Sequence, residues 1–176
     1  ELSGDRPELA EERRRALLIE AESAVRGGDF TRAVRAVDKM EAMGPVEDAR
    51  LLMVISHVRA AMTDLPAALR ELDRAEALSD PGDLASEYAC AKQRALAYLY
   101  CRDWKTGIEA SLQAVQIARA ANLPYDIAVT LHNLGEAARR MGDLPRAYAA
   151  LSESLEIARA AGSERLVSLN RIHLAF

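Results

Sequence analysis

Gly142-Asp143-Leu144-Pro145-Arg146-Ala147 is one copy of a turn that the chain uses four times. The other copies are Gly28-Asp29-Phe30, Thr63-Asp64-Leu65 and Arg102-Asp103-Trp104. The four aspartates are separated by 35, 39 and 40 residues. Spacing that regular marks an array of one supersecondary unit rather than a single globular core. Arrays of this kind present a long surface to a partner.

Working outward from each Asp, the columns agree. One residue after it stands Phe30, Leu65, Trp104 or Leu144, always large and apolar. Four after stands Ala33, Ala68, Gly107 or Ala147, and eight before stands Ala21, Ser56, Ala95 or Gly135, always small. Fourteen after stands Met43, Leu78, Ile117 or Ile157, and twelve before stands Leu17, Leu52, Ala91 or Leu131. The string Ile117-Ala118-Arg119-Ala120-Ala121 returns as Ile157-Ala158-Arg159-Ala160-Ala161.

Each unit reads as two helices. Apolar residues recur at steps of three and four on both sides of each Asp, as in Leu131, Leu134 and Ala138, then Ala147, Leu151 and Leu155. Gly28 and Gly142 stand where a first helix needs a left-handed terminating residue. The Asp that follows can accept from the free N–H groups opening the second helix. The six prolines fall at helix starts or in connections. No run alternates with period two long enough for a strand. The pattern predicts helices over 6–27, 29–43, 46–62, 65–79, 83–101, 104–121, 124–141, 144–161 and 164–176. Facing small residues let paired helix backbones approach, and the large residues fill the seams. The chain reads as one array over 1–176, with units at about 8–44, 45–80, 83–122 and 124–162 and a partial fifth at 163–176.

This pattern resembles the tetratricopeptide repeat, whose signature is a large–Leu–Gly–aromatic first helix and an Ala–large–Ala second helix. The fourth unit matches best, with Leu131, Leu134, Gly135, Gly142-Asp143, Ala147 and Leu151. Glu20, Arg59 and Arg94 depart from it, and only Tyr98 supplies the aromatic expected in its column. Units of 39 and 40 residues are similar to the long variety found in bacterial regulators and sensors. The resemblance implies an all-α, right-handed superhelical solenoid of antiparallel helix pairs, with a concave groove lined by the first helices.

Composition agrees. Half of the 176 residues are hydrophobic but only 5% are aromatic, so the core is mostly Ala and Leu. A net charge of −4 argues against nucleic acid as partner. Arg13-Arg14-Arg15 sits among Glu11, Glu12 and Glu20, and reads as a solvated helix face or an anionic contact. No apolar run is long enough to span a membrane, and no signal peptide is present, so a cytoplasmic, membrane-free protein is expected. The start at Glu1 and the end at Phe176 in mid-helix suggest a piece of a longer polypeptide.

The residues offer no catalytic machinery. There is no Gly-rich phosphate loop, nucleophile elbow or His-Glu-x-x-His motif, so no enzyme, cofactor or metal is expected. Arg26-Gly27-Gly28-Asp29 is a helix-ending turn. Cys90 and Cys101 lie roughly 16 Å apart along one helix and read as small hydrophobes. His57, His132 and His173 lie in different units. Glu71 and Arg74 read as an ordinary surface pair.

The groove remains. Its columns, carried over from the resembled family, give Lys92, Gln93, His132, Asn133, Glu136, Arg139 and Arg140 in the third and fourth units. Arg50 and His57 stand at the margin of a more apolar stretch around Leu18, Ile19, Met53 and Val54. Asn133 is the sharpest candidate: its amide both donates and accepts, so it suits a ligand backbone, though a solvated helix position is the alternative. The apolar stretch suits a neighbouring domain or an open site. The expected function is a non-catalytic protein- or peptide-binding scaffold, or a regulatory, effector-sensing module of a bacterial signalling protein. The last helix, with Leu166, Val167, Leu169, Ile172, Leu174 and Phe176, suggests weak self-association.

Overall fold

A computed structural model describes residues 7–175. Among the described residues the structure is all-helical. The elements are α1 (Pro7–Arg26), α2 (Phe30–Glu41), α3 (Ala49–Ala61), α4 (Leu65–Ala77), α5 (Leu84–Tyr100), α6 (Trp104–Ala120), α7 (Pro124–Met141), α8 (Leu144–Ala160) and α9 (Glu164–Leu174). Every predicted helix is present. The largest difference is at α3, which begins at Ala49 rather than 46 because Asp48 caps it, its carboxylate accepting from Leu51 N at 2.9 Å. Val46 is buried in the connection instead.

The four aspartate turns share one geometry. Asp29, Asp64, Asp103 and Asp143 each accept the backbone N–H three residues on, at 3.0, 3.1, 3.2 and 3.2 Å. Their own N–H groups reach back five residues, to the carbonyls of Ala24, Arg59, Tyr98 and Ala138, at 2.9 to 3.0 Å. This is the Schellman closure of a helix C-terminus. The residue before each Asp is left-handed, at Gly28, Thr63, Arg102 and Gly142 (φ 75, 62, 61 and 83°). Thr63 and Arg102 accept that conformation without glycine, held by the same bonds.

The chain divides into two compact units, Glu1–Leu78 and Ser79–Phe176. The first holds the antiparallel pairs α1/α2 and α3/α4. Ala21 and Ala33, and Ser56 and Ala68, are all buried, as the small-residue columns require. Arg14 corrects the reading of Arg13-Arg14-Arg15 as a wholly solvated face. Its Nη2 donates to Met43 O at 3.0 Å and holds the α2–α3 connection to α1. Arg74 does more than pair with Glu71 on the surface, for its Nη2 donates to Val46 O at 2.7 Å. Charged donors satisfy two carbonyls that the irregular connection leaves without helical partners.

The second unit packs α5/α6, α7/α8 and α9. Its core runs through Tyr88, Ile108, Val115, Leu131, Leu134 and Ala150. A Cβ on Gly135 would lie 2.6 Å from Leu151 Cγ and 3.2 Å from Ala147 O, so the α7/α8 approach is close enough to require glycine. The Tyr88 hydroxyl donates to Asp126 O at 3.2 Å and lies 2.9 Å from Thr130 Oγ1, tying α5 to the start of α7. α9 buries Leu166, Val167 and Asn170, and Ile172 is exposed. Phe176 lies outside the described residues.

Candidate functional site: a cleft between α5 and α7

The predicted groove residues fall in both units. Arg50 and His57 belong to α3 of the first. Arg50 is engaged by Glu22, with Nη2 at 2.8 and 3.1 Å and Nε at 3.1 Å from the carboxylate. His57 is half-buried. Lys92 and Gln93 lie on α5, and His132, Asn133, Glu136, Arg139 and Arg140 lie on α7.

A cleft of about 370 Å³ opens between α5 and α7. Leu96, Leu99 and Tyr100 form one wall, Asn133, Glu136, Ala137 and Arg140 the other, and Arg102 and Trp104 close one end. Three of the predicted residues therefore meet here, on successive turns of α7. The others point to different tasks. Lys92 Nζ lies 3.7 Å from Asp126 and 5.0 Å from the Tyr88 ring centroid, beside the tie between the helices. Arg139 grips Glu136 through Nε and Nη2, both at 3.0 Å. His132 lines a second cleft, between α7 and α9, and shares it with Asn133.

Leu99, Arg102 and Trp104 also line the cleft, and the groove columns do not include them. Trp104 stood in the large apolar column after Asp103, which reads as seam filler. In the structure it is half-buried, and the Arg140 guanidinium lies 5.4 Å from its ring centroid. A lone tryptophan next to a turn was the available signal. Although they lie in different units of the repeat, His132 and His173 stand with ring centroids 5.0 Å apart.

The electrostatics centre on Glu136. Burial raises its pKa, but hydrogen bonds from Arg139 and Arg140 outweigh that, with the charges of His173 and Arg139 adding, and it falls to about 2. The carboxylate is 2.7 Å from Arg140 Nε and 2.7 Å from His173 Nδ1. Asn133, by contrast, makes no hydrogen bond among the described residues. Arg102 makes no ion pair among them either. The cleft thus offers an amide, a guanidinium and aromatic walls, which is equipment for recognition. Among the described residues no group of His, Cys, Asp and Glu is placed to hold a metal ion. No described helix is long and apolar enough to cross a membrane.

Residues 87–167, from within α5 to within α9, match the tetratricopeptide repeat family. This segment is a tetratricopeptide repeat array. No curated protein matches the chain. Solved structures do. RapI in its apo form superposes with a TM-score of 0.70 at 17% identity, over 92% of this chain and 61% of its own. A signal transduction ATPase with numerous domains from Pyrococcus horikoshii, which carries a tetratricopeptide repeat sensor, gives 0.73 at 18%, over 94% of this chain and 26% of its own. Aspartyl phosphate phosphatase F from Bacillus subtilis gives 0.70 at 12%, over 87% and 42%. The likeness is one of fold, and this chain spans less than two thirds of each of those proteins. In the repeats, α5 and α7 are consecutive first helices.

Proposed function

We propose that the chain is a non-catalytic, cytoplasmic repeat scaffold that binds a protein or peptide segment along the first helices of its second unit, with Asn133 as the central contact. The observation that carries this is the unpartnered, half-buried amide of Asn133, shared by the α5/α7 and α7/α9 clefts. A primary amide in that position matches a peptide group, donor to acceptor and acceptor to donor. Arg102, Lys92 and Arg140 favour acidic residues in the ligand, although Lys92 and Arg140 must share themselves with Asp126 and Glu136. A role inside a signalling protein is a second reading. It is favoured by the structural neighbour whose repeat is a sensor.

An array of fifteen-residue peptides screened against the chain tests the proposal. Peptides that bind should lose about 1–3 kcal/mol of affinity on Asn133→Ala. Acidic binders should lose more on the double change Lys92→Glu with Arg140→Glu, and most at low salt. Unchanged affinity in both variants would move the site elsewhere, to the first unit's cleft by Leu18 and Ile19.

A further inference from the structure

A chain of buried hydrogen bonds in the second unit fixes the protonation of His132. It begins at a backbone carbonyl, Ala128 O, which can only accept. Ser154 Oγ lies 2.6 Å away and commits its single proton there. Ser154 Oγ must then accept from Asn170 Nδ2, at 2.8 Å. That sets the amide so that Oδ1 faces His132 Nδ1, at 2.8 Å. An amide oxygen only accepts, so Nδ1 carries the proton. A neutral imidazole has one N–H, which leaves Nε2 as a lone-pair acceptor. Ser154 and Asn170 are fully buried, so solvent does not share the relay.

His132 lines the α7/α9 cleft, about 300 Å³ in volume, and Nε2 makes no hydrogen bond among the described residues. Val129, Leu166 and Leu169 give the cleft an apolar floor, and Asn133 stands on its rim. Arg165 lines it too, exposed and without an ion pair among the described residues. The acceptor, the free amide, the apolar floor and the unmatched cation come from two helices, α7 and α9.

We propose that the α7/α9 cleft is a donor-reading subsite for an acidic polypeptide segment. An extended main-chain N–H of the segment donates to His132 Nε2, and the adjoining peptide group pairs with Asn133. An apolar side chain rests on Val129, Leu166 and Leu169, and a carboxylate meets Arg165. This rests on the peptide-binding reading above and names what the second cleft demands of the peptide. Burial holds the His132 pKa below its ordinary value; the Asn170 bond and Glu136 oppose this, and His173 adds to it. The ring is therefore neutral at neutral pH, as an acceptor must be. The charged and titratable groups around it are His173 and Arg165 from α9, and Tyr125 and Glu136, the latter with Arg139 and Arg140, from α7. The only α8 group in the relay is Ser154. Protonation turns Nε2 into a donor, so binding weakens as pH falls through the lowered pKa.

Long-range 1H–15N spectra of the full chain read the tautomer directly. At pH 7.5 His132 should be the Nδ1–H form, and an Nε2–H form overturns the proposal. Ser154→Ala frees the Asn170 amide and should shift His132 toward Nε2–H, while an unchanged tautomer overturns the relay. The binding probe is acetyl-Glu-Ala-Leu-Ala-Glu-amide, with a set N-methylated at each position in turn. The parent peptide should move the His132 ring and Asn133 side-chain signals. One N-methyl variant should bind about tenfold more weakly, the worth of one buried hydrogen bond. Equal binding by every N-methyl variant overturns the proposal. Signals that move only around Trp104 and Arg140 overturn it while leaving the peptide-binding reading intact. No movement at either cleft removes both.

Discussion

In the first unit the second helices of the pairs, α2 and α4, are 12 and 13 residues long, whereas in the second unit α6 and α8 are both 17. The added four or five residues exceed one helical turn. The step in aspartate spacing from 35 to 39 lies instead in the first helices, where α5 has 17 residues against 13 in α3. The polar groups differ as well. The first unit's cleft between α1 and α3, about 340 Å³, is lined by Arg14, Arg15 and Arg50, and each is taken. Arg14 holds Met43 O, Arg15 pairs with Glu11 at 3.3 Å, and Arg50 holds Glu22. The second unit leaves Asn133, Arg102 and Arg165 without such partners among the described residues. One turn geometry therefore builds both units, and they differ in the length of their second helices and in whether the cations lining each cleft have partners.

The largest effect that would sharpen the contrast lies in the buried relay, which the second unit has between α7, α8 and α9. Asn170→Leu strands the His132 Nδ1 proton and the acceptor side of Ser154, and should cost about 3 kcal/mol in a urea melt. A cost under about 1 kcal/mol would mean that the relay does not order α9. Next come the close approaches that both units share. Ala68→Leu and Ala147→Leu should each destabilise by about 1–3 kcal/mol, through overpacking at a buried contact. Arg159→Leu, on an exposed position, should stay within about 0.5 kcal/mol. Equal effects in all three would break the assignment of helix faces.

The caps should erase the contrast. Asp64 in the first unit and Asp143 in the second make the same bond, at 3.1 and 3.2 Å. Asp64→Ala and Asp143→Ala should each cost about 0.5–2 kcal/mol, and nearly the same amount. Unequal costs in thermal melts would show that the two turns are not one motif.

These capped turns are also the part most legible in the sequence, because they rest on local chemistry. Asp after a left-handed residue, a small residue four places on and an apolar stripe are all visible within a few residues. Thr63 and Arg102 escaped because steric reasoning looks for glycine, and the neighbouring bonds override it. That Asn133, Glu136 and Arg140 share one face of α7 was legible from helix period. The rest depends on contacts made across the fold. Arg14 reads as solvated until Met43, 29 residues on, is brought under it. Asn170 stands in an incomplete fifth unit without an aspartate turn of its own, so nothing local in the sequence ties it to His132. Lys92 reads as a groove cation, but Asp126 and Tyr88 draw it to the tie between α5 and α7.

The smallest effect concerns Glu136, where the second unit's cleft, like the first's, pairs its arginines with a carboxylate. Its folded pKa, about 2, lies below the ordinary 4.5 because the hydrogen bonds of Arg139 and Arg140 outweigh burial. A depressed carboxylate stabilises the fold fully above its unfolded pKa, and that contribution fades as pH falls toward the folded value. The melting temperature of wild type should therefore exceed that of Glu136→Gln above about pH 4.5. The margin should narrow from about pH 4.5 downward and vanish near pH 2. Solvent reaches Arg139 and Arg140, so the margin should correspond to less than about 1 kcal/mol and shrink in 1 M salt. The reverse sign, with Glu136→Gln the more stable, would also be informative. It would mean that burial outweighs the arginines and that Glu136 keeps Arg140 over Trp104 at a cost in stability. Glu136 would then be serving the cleft rather than the fold, whereas Arg14 in the first unit holds the α2–α3 connection to α1.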